Sequence, residues 1–545
     1  MTENARLLGP PGSAALDSAH EGDIYGALGT LRRFEAPAGR SLGRRLLTLA
    51  AIMGPGLIVM VGDNDAGGVA TYAQAGQNYG TTLLWTLLLL VPVLVVAQEM
   101  VARLGAVTGV GHARLIRERF GRFWLAFSVG DLFVLNFLTL VTEFIGVDLG
   151  LSYFGVSPNV SVPLAAVGLF AMAATGSFRR WERFMFVFIL TSLLMFPLAA
   201  LAHPRLGPVV VGTVVPRVTG GFDATTVLFI IAIVGTTVAP WQLFFQQSNV
   251  VDKRITTRFL GYELADTVIG AVLTNVGAAA LIVATAFAFA NSHLAGHFAS
   301  ALTVAQGLAS RVSPLAGDFF AVILINAAIL GASAVTLSTS YALGDSFGVK
   351  HSLHRKVTDA KAFYGSFAAL VALAAGIVLI PGAPLGLMTT GVQVLAGVLL
   401  PSAIVFLLLL CNDSAVLGPW VNTTRQNVVA SLIVAVLVLL SLILTITTVF
   451  PTVPFGPLVV SLTAIGALGL GVLGLSARRR SGRLAAERSE APRAPRDTWR
   501  MPALATLSLP TLSAQRKLGL LALRVYLVVA VVLLAVKIGQ VAVGG

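Results

Sequence analysis

Charge is scarce in this chain. Only 11% of its 545 residues are Asp, Glu, Lys or Arg, less than half of the roughly 25% typical of soluble globular proteins. A water-soluble core of this size would lack the polar surface to cover it, so a soluble multidomain protein is excluded. Cysteine is nearly absent: Cys411 stands alone, which rules out a disulfide framework and any multi-cysteine zinc or iron–sulfur centre. Histidine is missing from the apolar runs, because His20, His112, His203, His293, His297, His351 and His354 all fall in tails, in loops or at run edges. No phosphate-binding loop, catalytic triad or metal-hydrolase motif occurs, so neither an enzyme nor a resident cofactor is expected. What is abundant is apolar, at 56% of the chain. The net charge of +13 lies in short patches between those runs, the distribution of a helical membrane protein and not of a nucleic-acid binder.

Apolar runs of about 20 residues, long enough to cross roughly 30 Å of hydrocarbon as a helix, recur from Leu46 onward. They lie near 46–78, 82–104, 124–147, 160–176, 184–202, 224–250, 264–290, 317–343, 363–380, 386–410, 427–450, 456–475 and 518–541. Their apolar content is continuous, which indicates helices and excludes the alternating strands of an outer-membrane barrel. Residues 1–45 form a polar tail without the apolar core of a signal peptide. Residues 476–517 form a basic, Pro-containing linker ahead of the last run, 518–545. Lys and Arg concentrate in the tail, in every second loop and in that linker, which predicts a multi-pass protein of the plasma membrane with a cytoplasmic amino terminus.

Two of the runs are interrupted. The first carries Gly62, Asp63, Asn64, Asp65, Ala66, Gly67 and Gly68 at its centre, and the sixth carries Gly235, Thr236, Thr237, Val238, Ala239 and Pro240. Gly and Pro at mid-membrane release backbone amides and carbonyls that a cavity, a neighbouring helix or a bound ion must satisfy. Breaks at the head of each of two five-helix blocks, 46–202 and 224–410 with 427–475 following, point to an inverted-repeat transporter with its site at the midplane. Asp63, Asp65 and Glu143 are intramembrane carboxylates and default to functional candidates; Glu99, Asp131 and Asp266 also fall within runs. Carboxylate and carbonyl oxygens without His or Cys suit Mg²⁺, Ca²⁺, Mn²⁺ or Na⁺.

The run GPG…DAGGVAT…QAG…YG, the ARLGAVTG of span 2, TEFIG in span 3, WERF at span 5, the TTVAP break, and Gln393 ahead of Pro401 resemble the NRAMP family of divalent metal-ion transporters over about 45–450. The resemblance implies an all-α LeuT-type 5+5 inverted repeat with broken helices 1 and 6, here with about three extra carboxyl-terminal helices. It also implies metal held between the breaks, by Asp65, the carbonyls of Gly62 and Thr236, and Gln393. The departures are specific. The family's Asp-Pro-Gly-Asn reads Asp65-Ala66-Gly67-Gly68 here, so an asparagine ligand becomes Gly68; its Met-Pro-His reads Ala239-Pro240-Trp241, so a methionine ligand becomes Ala239. Leu140 stands where the family has an aspartate three residues before Glu143. This pattern resembles the NRAMP-related magnesium transporters.

Loss of a soft thioether removes discrimination against Mg²⁺, and smaller side chains at Gly68 and Ala239 leave room for an ion that dehydrates reluctantly. The expected partners are therefore Mg²⁺ and Mn²⁺ as cargo, and the bilayer. Asp63 and Asn64 either accept hydrogen bonds from the ion's waters or line a wet vestibule, and Trp241 is read as wall. Glu143 is either a buried structural carboxylate or part of transport; without Leu140 as an acid, the expectation is transport uncoupled from protons. The competing readings are a proton-coupled Mn²⁺/Fe²⁺ transporter, a sodium-coupled carrier of an organic substrate and a non-transporting receptor.

Overall fold

The computed structural model describes residues 18–20, 22–32, 41–380, 385–450 and 453–469, with isolated positions beyond. The expected span at 518–541 and the linker at 476–517 lie almost wholly outside the described residues. The first broken span comprises α1 (Leu42–Ile52), α2 (Pro55–Val61) and α3 (Ala66–Tyr79). Then come α4 (Leu84–Thr108), the short α5 (His112–Phe120), α6 (Arg122–Tyr153), α7 (Pro158–Ala173), and α8 (Phe178–Ser192) running into α9 (Met195–Leu201). After the outer helix α10 (Leu206–Val214), the second broken span is α11 (Ala224–Thr237) and α12 (Pro240–Asp252). It is followed by α13 (Leu260–Phe289), α14 (Ala301–Arg311), α15 (Pro314–Phe347), α16 (Lys361–Val378), α17 (Leu385–Cys411), the turn α18 (Ser414–Leu417), α19 (Thr424–Val449) and an apolar helix at Phe455–Gly469.

Burial separates the centre from the rim. The apolar stretch of Ala224–Asp252 is 94% buried, whereas that of Thr424–Thr447 is 33% buried. The broken helices therefore form the axis, and the later ones face lipid on most of their surface. Span 5 begins earlier than its apolar run, at Phe178, because Trp181 and Glu182 are buried by partners on other helices.

Sequence reading placed no element in the tail, yet residues 22–32 dock on the bundle. Strands β1 (Ile24–Tyr25) and β2 (Thr30–Leu31) pair antiparallel, with Ile24 opposite Leu31. Both apolar residues bury against Ala51, Ile52, Ala102, Val250, Ile255 and Phe259. The Ala27 amide donates to Glu182 Oε2 at 2.5 Å. Glu182 in turn accepts from Lys253 Nζ at 2.6 Å, and that ammonium also donates to the carbonyls of Ile52 and Met53.

A second bend was also not foreseen. Between α1 and α2 the chain turns by 58°, at Gly54 with φ +153°, a value that side chains other than glycine rarely adopt. Asp266 on α13 secures the turn: its Oδ2 accepts from the amides of Gly54, Gly56 and Leu57 at 3.0, 2.8 and 3.2 Å. A helix start leaves its first amides without intrahelical partners, and within the bundle this carboxylate satisfies them.

Candidate metal site

In an unbroken helix the amides of Ala66 and Gly68 would bond the carbonyls of Gly62 and Asn64. Here they do not. The Ala66 amide donates to Glu143 Oε2 at 3.1 Å and the Gly68 amide to Asp65 Oδ1 at 2.6 Å. Asp65 is thus the N-cap of α3, and the positive end of that helix dipole meets two carboxylates at mid-membrane. The displaced carbonyls of Gly62 and Asn64 lose their helical donors, which frees them as oxygen ligands.

The sixth span breaks for a different covalent reason. Pro240 has no N–H, so the Thr236 carbonyl four residues earlier loses its donor. Val238 closes the last regular bond of α11, to Val234, at 2.8 Å, and Ala239, extended and 5% exposed, is the N-cap of α12. The Thr236 hydroxyl is buried without a partner among the described residues. Tyr72 ties the two broken spans together, its hydroxyl lying 2.7 Å from Thr237 Oγ1.

These groups converge on one point. A Cβ placed on Gly68 would lie 2.9 Å from Thr236 Oγ1, 3.0 Å from the Asp63 carbonyl and 3.3 Å from Asp65 Oδ1. One placed on Gly67 would collide with Gln393 Nε2, which is itself buried without a partner. A side chain at 67 would therefore displace Gln393 of α17, and one at 68 would crowd Thr236 of α11. Sequence reading took Gly68 and Ala239 to enlarge the site; in this conformation Thr236 Oγ1 stands in the space beside Gly68. Across the site, Asp65 and Glu143 both flank Gly331 of α15, whose added Cβ would lie 2.8 Å from Asp65 Cβ and 2.9 Å from Glu143 Cδ.

The remaining candidates separate. Asp63 is 1% exposed, and neither of its carboxylate oxygens has a partner among the described residues. Asn64 instead donates to the Thr274 carbonyl at 3.1 Å and so is tethered to α13. Trp241 is fully buried, with its ring edge 3.6 Å from a Cβ placed on Gly62 and its carbonyl accepting from Ser338. Leu140 is buried in the apolar core. Asp131 borders a small pocket beside Pro240 and Phe244, away from the residues that meet at Gly67 and Gly68. Asp266 is the helix-start anchor already described, and Glu99 is held by Arg103 at 2.8 Å and by Gln426 at 3.2 Å. Sequence reasoning missed the Thr236 hydroxyl and the Tyr72–Thr237 bond; the only available signal was a hydroxyl residue within the second break.

Among the described residues, no group of three or more His, Cys, Asp or Glu side chains is placed to hold a metal ion. The midplane groups are two carboxylates, freed carbonyls, a hydroxyl and the Gln393 side-chain amide, all of which would offer hard oxygen to a metal ion. Two discontinuous helices meeting at such a point define a multi-pass membrane transporter of the LeuT-type 5+5 inverted-repeat class. The manganese transporter of Eremococcus coleocola has the same fold, with a TM-score of 0.60 and 21% identity, over 82% of this chain and 98% of that one. The family model described as natural resistance-associated macrophage protein-like matches residues 56–447; the chain belongs to the Nramp family. Among its curated relatives, the divalent metal cation transporter MntH of Ralstonia nicotianae is 29% identical over 73% of this chain and 91% of its own length. That of Granulibacter bethesdensis is 25% identical over 75% and 90%.

Proposed function

We propose that this protein carries divalent metal cations across the membrane, with Mg²⁺, and also Mn²⁺, as the cargo bound at Asp65. The observation that carries the reading is the donor set. The Asp65 carboxylate caps one helix start, the breaks leave the Gly62 and Thr236 carbonyls without helical donors, and Ala239 brings no sulfur to the N-cap of α12. Such a site favours hard ions over soft ones. Gln393 and Thr236, which now fill the space beside Gly67 and Gly68, are the groups that would turn toward the ion or its waters. The relatives' description as divalent metal cation transporters supports the same cargo class. With the amino terminus in the cytoplasm, as the Lys and Arg distribution implies, import is driven by the membrane potential at about 4.6 kcal/mol per 100 mV for a divalent ion, twice the single-charge value.

Coupling to protons is not required by this reading, because Trp241 and Leu140 are buried and cannot titrate. A second reading is favoured by one juxtaposition: Glu143 reaches the Ala66 amide next to Asp65 and both side chains flank Gly331, and a carboxyl pair so placed can share a proton that an incoming cation expels. Uptake into proteoliposomes of Mg²⁺, Mn²⁺, Ca²⁺, Fe²⁺ and Cd²⁺, with a pH dye in the lumen, tests both. Saturable Mg²⁺ entry without a lumenal pH change is the expected result. Exclusion of Mg²⁺ would refute the cargo, and a metal-driven pH change lost in Glu143→Gln would establish the coupled mechanism.

A further inference from the structure

We propose that the loop between α15 and α16 is a pH-sensitive latch on the end of α12, set by the pairing of His351 with Asp345. Asp252, the last residue of α12, is fully buried and gathers that loop around it. Its Oδ1 accepts from the Ser352 hydroxyl at 2.5 Å. Its Oδ2 accepts from the Leu353 amide at 2.9 Å and from the hydroxyl of Tyr341, on α15, at 2.6 Å. The loop thus ties the second half of the sixth span to α15, and α12 begins at the Ala239–Pro240 break. What loosens the loop therefore frees the far end of a helix whose near end borders the midplane site.

The loop is held in place by a single histidine. The chain leaves α15 through Gly348, left-handed at φ +67°, and folds His351 back over Gly344, where a Cβ would strike the ring. His351 Nδ1 lies 2.7 Å from the Val349 carbonyl, and Nε2 lies 3.2 Å from Asp345 Oδ1. A carbonyl and an ionised carboxylate only accept, so both ring nitrogens must donate, and an imidazole does that only when it is protonated. A neutral ring keeps one of these contacts and turns a lone pair toward the other oxygen. Asp345 has little freedom to withdraw, since its second oxygen is pressed against Gly111 at the start of α5.

The neighbouring charges leave this role to His351. Across a cavity of about 10 Å³, room for one water, stand Tyr341 and His20, the latter 3.6 Å from Asp252 Oδ1. On α5, Arg114 is paired with Glu118 at 2.8 Å, and Arg117 donates to the Ser346 carbonyl at 2.8 Å; Lys350 is exposed. Burial pushes the pKa of His112 down to about 4 and lowers that of His354. Burial opposes the charged form of His351 too, but the hydrogen bond and charge of Asp345, aided by the Val349 carbonyl and Asp252, raise its pKa above the ordinary value. The latch is therefore fully closed below the ordinary histidine pKa of about 6.5 and loosens as the pH rises through the raised one.

The test is amide hydrogen exchange in the purified full chain, in detergent and without metal, from about pH 6 to about pH 9 across the histidine range. Rates are corrected for the intrinsic effect of pH on exchange. Protection of residues 349–354 is expected to fall about tenfold toward the alkaline end, as one charge-assisted hydrogen bond is lost. Asp345→Asn should keep the protection and abolish its pH dependence, because the asparagine amide donates to a neutral ring. His351→Gln should also abolish the pH dependence, whereas His20→Gln and His354→Gln should retain it. Flat protection in the unmodified chain overturns the proposal by itself, whether or not the variants fold. A pH step that survives in both Asp345→Asn and His351→Gln, or that vanishes in His20→Gln, overturns it as well, because another group would then be titrating.

Discussion

The two breaks at the midplane solve the same backbone problem with different chemistry. In the first span, side-chain carboxylates take over the amides of Ala66 and Gly68, so the break is made by charge and carries charge. In the sixth, Pro240 deletes the amide, so the break is made by covalent geometry and presents only the Thr236 carbonyl and hydroxyl. One half attracts a cation and the other supplies neutral oxygen. On the proposed reading the difference separates affinity from selectivity: the first break would set whether a cation binds at all, and the second would set which ion is preferred, through what stands at Ala239.

The sharpest way to break this division is Asp65→Ala. Removal of the N-cap carboxylate should lower kcat/KM for metal uptake at least about 100-fold, a loss of about 2.7 kcal/mol, with the protein still folded by its thermal midpoint. Residual uptake within threefold of the wild type would place the charge elsewhere. Pro240→Ala should act next most strongly: the restored amide pairs with the Thr236 carbonyl, and uptake falls about tenfold without any change of charge. Ala239→Met tests selectivity by adding a thioether at the second break alone; flux competition should shift about tenfold toward Mn²⁺ or Cd²⁺ over Mg²⁺. This single change is cleaner than one at Gly68, where a side chain would meet Thr236 Oγ1 and the Asp63 carbonyl. Thr236→Val should have the smallest effect, two- to threefold on KM, since it deletes the hydroxyl and keeps the freed carbonyl. A larger loss would make the hydroxyl a direct ligand.

Much of this architecture is legible in the residues, for physical reasons. Long apolar runs must be helices in lipid, and the first twelve runs overlap helices among the described residues, of which nine, or ten with the bent first pair, are long and apolar enough to cross a membrane. The breaks announce themselves because Gly, Pro and Asp are costly at mid-membrane. What stayed hidden depends on partners distant in sequence. Glu182 and Lys253 are 71 residues apart, and their pairing at 2.6 Å draws the start of span 5 into the bundle. The bend at Gly54 needs Asp266, 212 residues on. The crowding at Gly67 and Gly68 is likewise set by Gln393 and Thr236. From sequence alone, a glycine that creates space and a glycine that yields space to a neighbour are the same letter.

The docked hairpin has a practical consequence. Two paired dipeptides have no stability of their own in water, so β1 and β2 persist only while Ile52, Ala102 and Val250 keep the groove that receives Ile24 and Leu31. A swing of α1 away from the bundle would strip Ala51 and Ile52 from Ile24 and Leu31 and so loosen the hairpin's seat. Residues 22–32 therefore act as a built-in gauge. The rate at which a protease nicks them, or at which their amides exchange with deuterium, counts the openings of this end of the molecule, metal-bound or not.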